Sequence, residues 1–373
     1  MNSKKPLSSP NLLNGKALQI VKGVILHGGS GTRLRPLTYT DVKQLLPLAG
    51  KPVSEYALMS LIELEIKEVN IILGDIGSEE VRNYYGNGEK WGINISYTFQ
   101  GKPAGIAQAI GLVREFVRED DFVVVLGDNY FHSGFSQLLK DFKNDEKDAY
   151  VALTEVPDPE KYGVAEIQDG RIIRMVEKPK KPKSNLAVTG VYFLRKNIFP
   201  IIDSLKPSWR GEYEITDAFQ KMIESGMKVG YSIIAGWWKD TGTPEEFLKC
   251  NMMALERIPI GEIRNGQGAY WRTQIEGNVN IDTESEIVGP CFIGGGTTIR
   301  NSYIGPYTSL GRNCSVANSH IENSVIMDNV SIDLNSSSVL RESLIGPSST
   351  IGSSGKNEKF LKFIVGRDSK IEV

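Results

Sequence analysis

The stretch GVILHGGSGTRLRPLT, Gly23 to Thr38, carries an apolar run straight into three glycines, two arginines and a proline. Without a Cβ, glycine lets backbone N–H groups approach an anion closely, and arginine supplies the opposing charge. A surface turn would account for the glycines alone. Two familiar phosphate motifs fit poorly. The P-loop needs Lys-Ser/Thr after its second glycine, where this chain has Thr32-Arg33. The dinucleotide fingerprint fails at its third glycine, because Gly29-Ser30-Gly31 is followed by Thr-Arg-Leu. The stretch reads as a buried strand entering a phosphate loop of another kind.

Outward from that loop, residues 21–245 alternate short apolar runs with helical spacing, the pattern of an α/β domain with a largely parallel sheet. Val21–Leu26, Val69–Leu73 and Phe122–Asp128 read as buried strands. The segment SEYALMSLIELEI, apolar at Tyr56, Met59, Leu61, Ile62 and Ile66, predicts an amphipathic helix, as does AGIAQAIGLVREFV before the third strand. Open α/β sheets bind ligands at the carboxyl ends of their strands, which is where the glycine loop falls.

The last third has a different rhythm. Apolar residues recur every six positions at Ile275, Ile281, Ile287, Ile293 and Ile299. The series continues, with two five-residue steps, through Ile304, Leu310, Val316 and Ile321, and then Ile326, Ile332, Ile345 and Ile351. Small and polar residues sit at the corners between them. A sustained period of six is the hexapeptide repeat of a left-handed parallel β-helix, each side one short strand. Residues 246–270 read as a helix and a connector. The expected organisation is an N-terminal extension over 1–20, a Rossmann-like α/β domain over 21–261 and the β-helix over 262–373.

Composition narrows the function classes. A net charge of −2 and a pI near 6.1 advertise no nucleic-acid partner. The three cysteines lack CxxC spacing, which argues against a zinc site or a disulfide framework and for a reducing compartment. No apolar run approaches the length of a membrane span, and residues 1–20 lack the apolar core of a signal peptide, so no membrane partner and a cytoplasmic location are expected.

GGSGTRLRPLT followed by DVKQLLPLAGKP resembles the signature of the sugar-1-phosphate nucleotidylyltransferases, most closely the long-form glucose-1-phosphate thymidylyltransferases. The resemblance continues at family spacing through QGKPAGIAQAI, VLGDNYF, YGVAEI, VEKP, TGVYFL, WRGEYEITDAFQ and WWKDTGTPEEF, and covers residues 21–373. It implies attack of a sugar phosphate on the α-phosphorus of dTTP, with pyrophosphate leaving. The nucleophile is already an anion, so catalysis must align two polyanions and neutralise their repulsion.

By that resemblance Gly28, Gly29, Ser30, Gly31 and Thr32 would cradle the triphosphate, and Arg33 and Lys43 would neutralise it. Asp128 and Asp240 would hold Mg2+. Gln44 would reach the nucleoside. Gln100, with Pro103 and Gly105 shaping its pocket, would pair with the imide edge of the base. Tyr162, Gly163, Glu177, Lys178, Thr189, Gly190 and Arg210 match the sugar-binding segments, with Lys178 and Arg210 toward the phosphate. The β-helix implies a homo-oligomer through its broad flat faces. One departure stands beside the loop: His27 occupies a position where the family usually carries alanine.

Three alternatives stay open on the sequence. A UTP-dependent uridylyltransferase could share every motif quoted. A β-helix acyltransferase would need a basic histidine between coils, and His320 is the repeat region's sole histidine. A non-catalytic sensing homologue would be expected to have lost some of Arg33, Lys43, Asp128 and Asp240, all of which are present.

Overall fold

The computed structural model describes residues 21–29, 31–144, 146–234, 236–260, 272–334, 338–353 and 360–373. The N-terminal extension, Ser30 and the expected domain boundary at 261/262 lie outside the described residues.

Nine strands form the sheet of the first domain. Its N-terminal half is wholly parallel. Strand Val21–His27 lies between Asp121–Leu126 and Glu68–Leu73, and Asn94–Phe99 flanks the latter. Every residue of Val21–His27 is buried, as a continuous apolar run between two covered faces requires. The other half joins through Leu186–Leu194, which runs antiparallel to Asp121–Leu126 and also pairs with Ala149–Glu155. A two-stranded ribbon, Asn129–Phe131 against Trp238–Asp240, projects beside this junction.

The sequence expectations map closely, with instructive differences. The helix expected from SEYALMSLIELEI spans Val53–Glu63 and buries Val53, Ala57, Leu58 and Leu61, whereas Met59 faces solvent. The helix expected from AGIAQAIGLVREFV is broken into Ile106–Gly111 and Arg114–Val117. Asp128 lies in the turn just beyond its strand, which ends at Leu126.

The six-residue period becomes three parallel sheets of six, six and five strands, the coil of a left-handed parallel β-helix. One column stacks Ile275, Ile293, Leu310, Ile326, Ile345 and Val365. A second stacks Ile281, Ile299, Val316, Ile332, Ile351 and Ile371. The third stacks Ile287, Ile304, Ile321, Leu340 and Leu361. Asparagines at positive φ, among them Asn301, Asn313, Asn318 and Asn329, turn the corners, because a short polar side chain tolerates the left-handed region. Serines stack beside them: the Ser302 hydroxyl accepts from the Ser319 amide at 3.1 Å, and Ser324 does the same for Ser343. His320 is held within this lattice by Glu322 Oε1 at 2.8 Å and by the Tyr303 ring, an outward structural role. Cys250, Cys291 and Cys314 are buried and free. No helix among the described residues is long and apolar enough to cross a membrane.

Candidate active site

The glycine loop leaves the end of Val21–His27 and turns through Gly29 at φ 103° and Gly31 at φ 59°. An L side chain is strained in both conformations, and at Gly31 a Cβ would also meet Thr38 at 2.9 Å. The loop is pinned from behind: the Gly31 carbonyl accepts from the Thr38 hydroxyl at 2.7 Å and from the Leu34 amide at 2.9 Å. Gln44 donates to the Gly28 carbonyl at 2.8 Å. The Gly29 surface stays open, with nothing within 4 Å of the point a Cβ would occupy. Thr32–Leu34 forms a single 3-10 turn that leaves Arg33 exposed at the mouth.

Lys43 is 7% exposed, and its Nζ meets Asp128 Oδ2 at 2.6 Å. Burial works to raise the Asp128 carboxyl. The Lys43 charge and hydrogen bonds from Lys43 and Asn129 outweigh it and hold the group below the usual carboxylate range. The ribbon sets Asp240 opposite Asn129, one residue from Asp128. Burial, with Glu246 and Asp128 nearby, pushes the Asp240 carboxyl up despite Lys43 and Arg33. Arg33 reaches Asp240 at 3.7 Å, and Asp240 Oδ1 is buried without a hydrogen-bond partner among the described residues.

Sequence reasoning missed Glu246. Thr243-Pro-Glu-Glu246 looks like a helix cap, and the Thr243 hydroxyl does accept from the Glu246 amide at 3.3 Å. The carboxylate itself turns elsewhere, to Lys239 at 3.1 Å, leaving Oε2 unpartnered. Lys239 also donates to the Tyr162 hydroxyl at 2.8 Å.

Gln100, expected to read the base, directly follows strand Asn94–Phe99 and donates to Gln108 at 2.8 Å. Its carbonyl lies where a Cβ on Gly28 would come within 2.9 Å, so Gly28 and Gln100 are neighbours. Gly105, at φ 113°, packs on the Tyr213 backbone, where a side chain would clash at 2.4 Å. Pro103 is exposed between them.

Among the residues expected to bind the sugar, Gly163 pairs with Glu177 across neighbouring strands, and a Cβ there would meet Thr216 at 2.5 Å. Glu177 accepts from the Thr216 hydroxyl at 3.1 Å, and burial, aided by Glu214, pushes its carboxyl up. Arg210 is engaged by Glu214 at 3.2 Å, Glu212 at 2.9 Å and Glu177 at 3.5 Å. Lys178 has no ion pair among the described residues. Gly190 packs against Asn129, where a Cβ would come within 2.5 Å of the amide oxygen. Thr189, expected among the sugar-binding residues, is 1% exposed and its hydroxyl donates to the Ala152 carbonyl, so its side chain does not face a ligand.

His27 is 3% exposed, packed edge-on to Tyr85, and neither ring nitrogen has a hydrogen-bond partner among the described residues. Burial lowers its pKa from 6.5 to about 3, with the Asp128 charge opposing. Below pH 6.5 the unfolded chain therefore binds a proton that the folded chain excludes. The stability is present above 6.5 and is lost as pH falls toward 3. Between pH 7.5 and 5, denaturant unfolding of the parent should lose about 2 kcal/mol more than that of His27→Ala. Equal losses in the two proteins would show that the ring is not held neutral.

The sheet, the pinned glycine loop and the carboxylate ribbon together describe a nucleotidyltransferase domain with a β-helix appended. Comparison with known proteins agrees on both parts. The nucleotidyl transferase family matches residues 22–257, and the GMPPB C-terminal domain family matches residues 275–372. A low-salt glycan biosynthesis nucleotidyltransferase, Agl11 of Haloferax volcanii, is 40% identical over 95% of this chain and 100% of its own length. A glucose-1-phosphate thymidylyltransferase of Streptomyces griseus is 38% identical over 95% of this chain and 99% of its own. Among solved structures, one described as a glucose-1-phosphate thymidylyltransferase from Bacillus anthracis in complex with a sucrose is 41% identical, with TM-score 0.61. It spans 65% of this chain and 98% of its own. The chain belongs to the sugar-1-phosphate nucleotidylyltransferase family.

Proposed function

We propose that this chain transfers a thymidylyl group from dTTP to glucose 1-phosphate, giving dTDP-glucose and pyrophosphate. The observation that carries the reading is the gathering of Arg33, Lys43, Asp128 and Asp240 at the mouth of the glycine loop. A phosphate oxygen of the sugar attacks the α-phosphorus, and the bond from that phosphorus to the bridging oxygen of pyrophosphate breaks. No proton needs to move. The loop amides and Arg33 hold the triphosphate, Lys43 faces it from below, and Lys178 and Arg210 bring in the sugar phosphate. Gln100 presents an amide to the imide edge of the base.

The donor set fits Mg2+: Asp128 in the turn before the ribbon and Asp240 at the end of its second strand are both hard oxygen donors, and Asp240 Oδ1 has no hydrogen-bond partner among the described residues. Asp128 and Asp240 would hold the ion, which supplies charge neutralisation when bound.

The thymidylyltransferases among the relatives favour dTTP and glucose 1-phosphate. A second reading, UTP as donor, is favoured by one observation. A UDP-glucose pyrophosphorylase complexed with UDP-glucose shares the fold at 26% identity and TM-score 0.57, and thymine and uracil share the edge that Gln100 would read. Pyrophosphate release should be measured for dTTP, UTP, CTP, ATP and GTP, each crossed with several sugar 1-phosphates. The reading expects the highest kcat/KM for dTTP with glucose 1-phosphate. A clear preference for UTP would replace it with the second reading, and no release with any pair would remove both.

A further inference from the structure

The segment from Arg33 to Lys43 is braced on one side by the glycine loop, and on the other by the β-helix. Leu34, Leu37, Leu46 and Leu48 share one buried apolar cluster with Phe292 and Leu344 of the coil. Gly50, at φ 79°, lies so close to Phe292 that any Cβ would enter the ring, at 2.1 Å. Asn251, fully buried on the helix Pro244–Glu256, ties the two domains: its Oδ1 accepts from the Ala49 amide at 2.9 Å and the Ser309 hydroxyl at 2.7 Å, and its Nδ2 donates to the Tyr307 carbonyl at 3.2 Å.

The bracing is not continuous. Between these contacts the stretch Thr40–Leu46 lines a cleft of about 660 Å³, whose far wall is the coil. Toward its own domain the stretch is packed through Val42, Lys43 and Gln44; toward the coil, across that space, its contacts are discrete struts. The last coil supplies two of them. Gly366 lies against the Pro36 carbonyl, within 3.1 Å of it for a Cβ, and Arg367 pairs with Asp41, two residues before Lys43.

We propose that the β-helix is part of the support of the nucleotide site, with Arg367 acting as a positioning residue that holds Asp41, and through it Lys43, in register with Asp128. The assembly role expected from sequence leaves this one untouched. Relatives that match about two-thirds of this chain also bear the thymidylyltransferase name, so a full-length brace is not required by the chemistry in general. The inference rests on the nucleotidyl-transfer reading for its kinetic consequence, but not for its structural one.

Asp41 and Arg367 are partly exposed, with side-chain exposures of 15% and 41%, so as a stability element the pair is worth little. A merely structural role therefore predicts no kinetic change. Displacement of a catalytic segment, by contrast, is amplified in rate. In the full-length protein, Arg367→Ala should lower kcat/KM for the nucleotide about 10-fold and leave KM for the sugar phosphate unchanged, and Arg367→Lys should recover most of the loss. The reversed pair, Asp41→Arg with Arg367→Asp, should be more active than either single reversal.

Hydrogen exchange without substrates gives an independent readout. The amides of Leu34, Leu45 and Leu46, bonded within the segment, should exchange faster in Arg367→Ala. Parent-like kinetics and exchange in Arg367→Ala, or additive losses in the reversed pair, would overturn the proposal. A parent protein that transfers no nucleotide at all would instead sink the functional reading, while faster exchange in the variant would still uphold the brace.

Discussion

Asp240→Asn should lose turnover by roughly 1,000-fold or more while the protein becomes no less stable, and Asp128→Asn should lose turnover comparably but at a cost in stability. The two carboxylates differ in what the fold asks of them. Asp240 carries a buried oxygen with no partner, and burial with two neighbouring acids already disfavours its charge. An amide removes that repulsion and loses only the long contact to Arg33, 3.7 Å away. Asp128 is the counter-ion of a lysine that is 7% exposed. Its removal strands Lys43, and leaving a buried charge without the partner of a part-buried pair costs about 2 kcal/mol. Steady-state rates and denaturant unfolding on both variants separate the roles. If either variant turned over at near-parent rate, that carboxylate would not be part of the catalytic apparatus. If Asp128→Asn unfolded at the parent midpoint, Lys43 would not depend on it.

The parts of this molecule that are legible in sequence are those in which one local cause acts alone. The isoleucine columns follow from a period that only a stacked coil satisfies, and the glycine loop follows from backbone room beside strand Val21–His27. Leu340 escapes the series because the residues between Ile332 and Ile345 depart from the period, and the column resumes only in space, where Leu340 sits on Ile321. Met59 falls among the apolar positions of its helix, yet a spacing argument cannot tell which of two adjacent apolar stripes meets the sheet. Glu246 is hidden for a different reason: its position in a capping motif is sufficient explanation until the carboxylate is seen against Lys239. The contacts of Asn251, Asp41 and Arg367 join residues up to 326 positions apart, and nothing in the local pattern marks them.

Lys178 is where the acceptor side can be tested most sharply. Its backbone holds φ 42°, in the left-handed region that disfavours any residue with a Cβ, and its amide donates to the Tyr162 carbonyl at 3.0 Å. Arg210 nearby is already surrounded by three carboxylates and must exchange partners to bind an anion. Lys178 has no ion pair to give up among the described residues, so on the proposed reading it is the cation that would meet an incoming sugar phosphate first. Lys178→Met keeps the Cβ, the backbone strain and most of the side-chain volume, and should therefore leave stability within about 0.5 kcal/mol of the parent. Its kcat/KM for the sugar phosphate should fall roughly 100-fold or more, with KM for the nucleotide little changed. Lys178→Gly separates strain from charge: it should stabilise the fold by about 1 kcal/mol, by relieving the positive φ, and lose as much activity as the methionine variant. A methionine variant with parent-like acceptor kinetics would make Lys178 an ordinary solvated lysine and leave Arg210 to carry the phosphate alone.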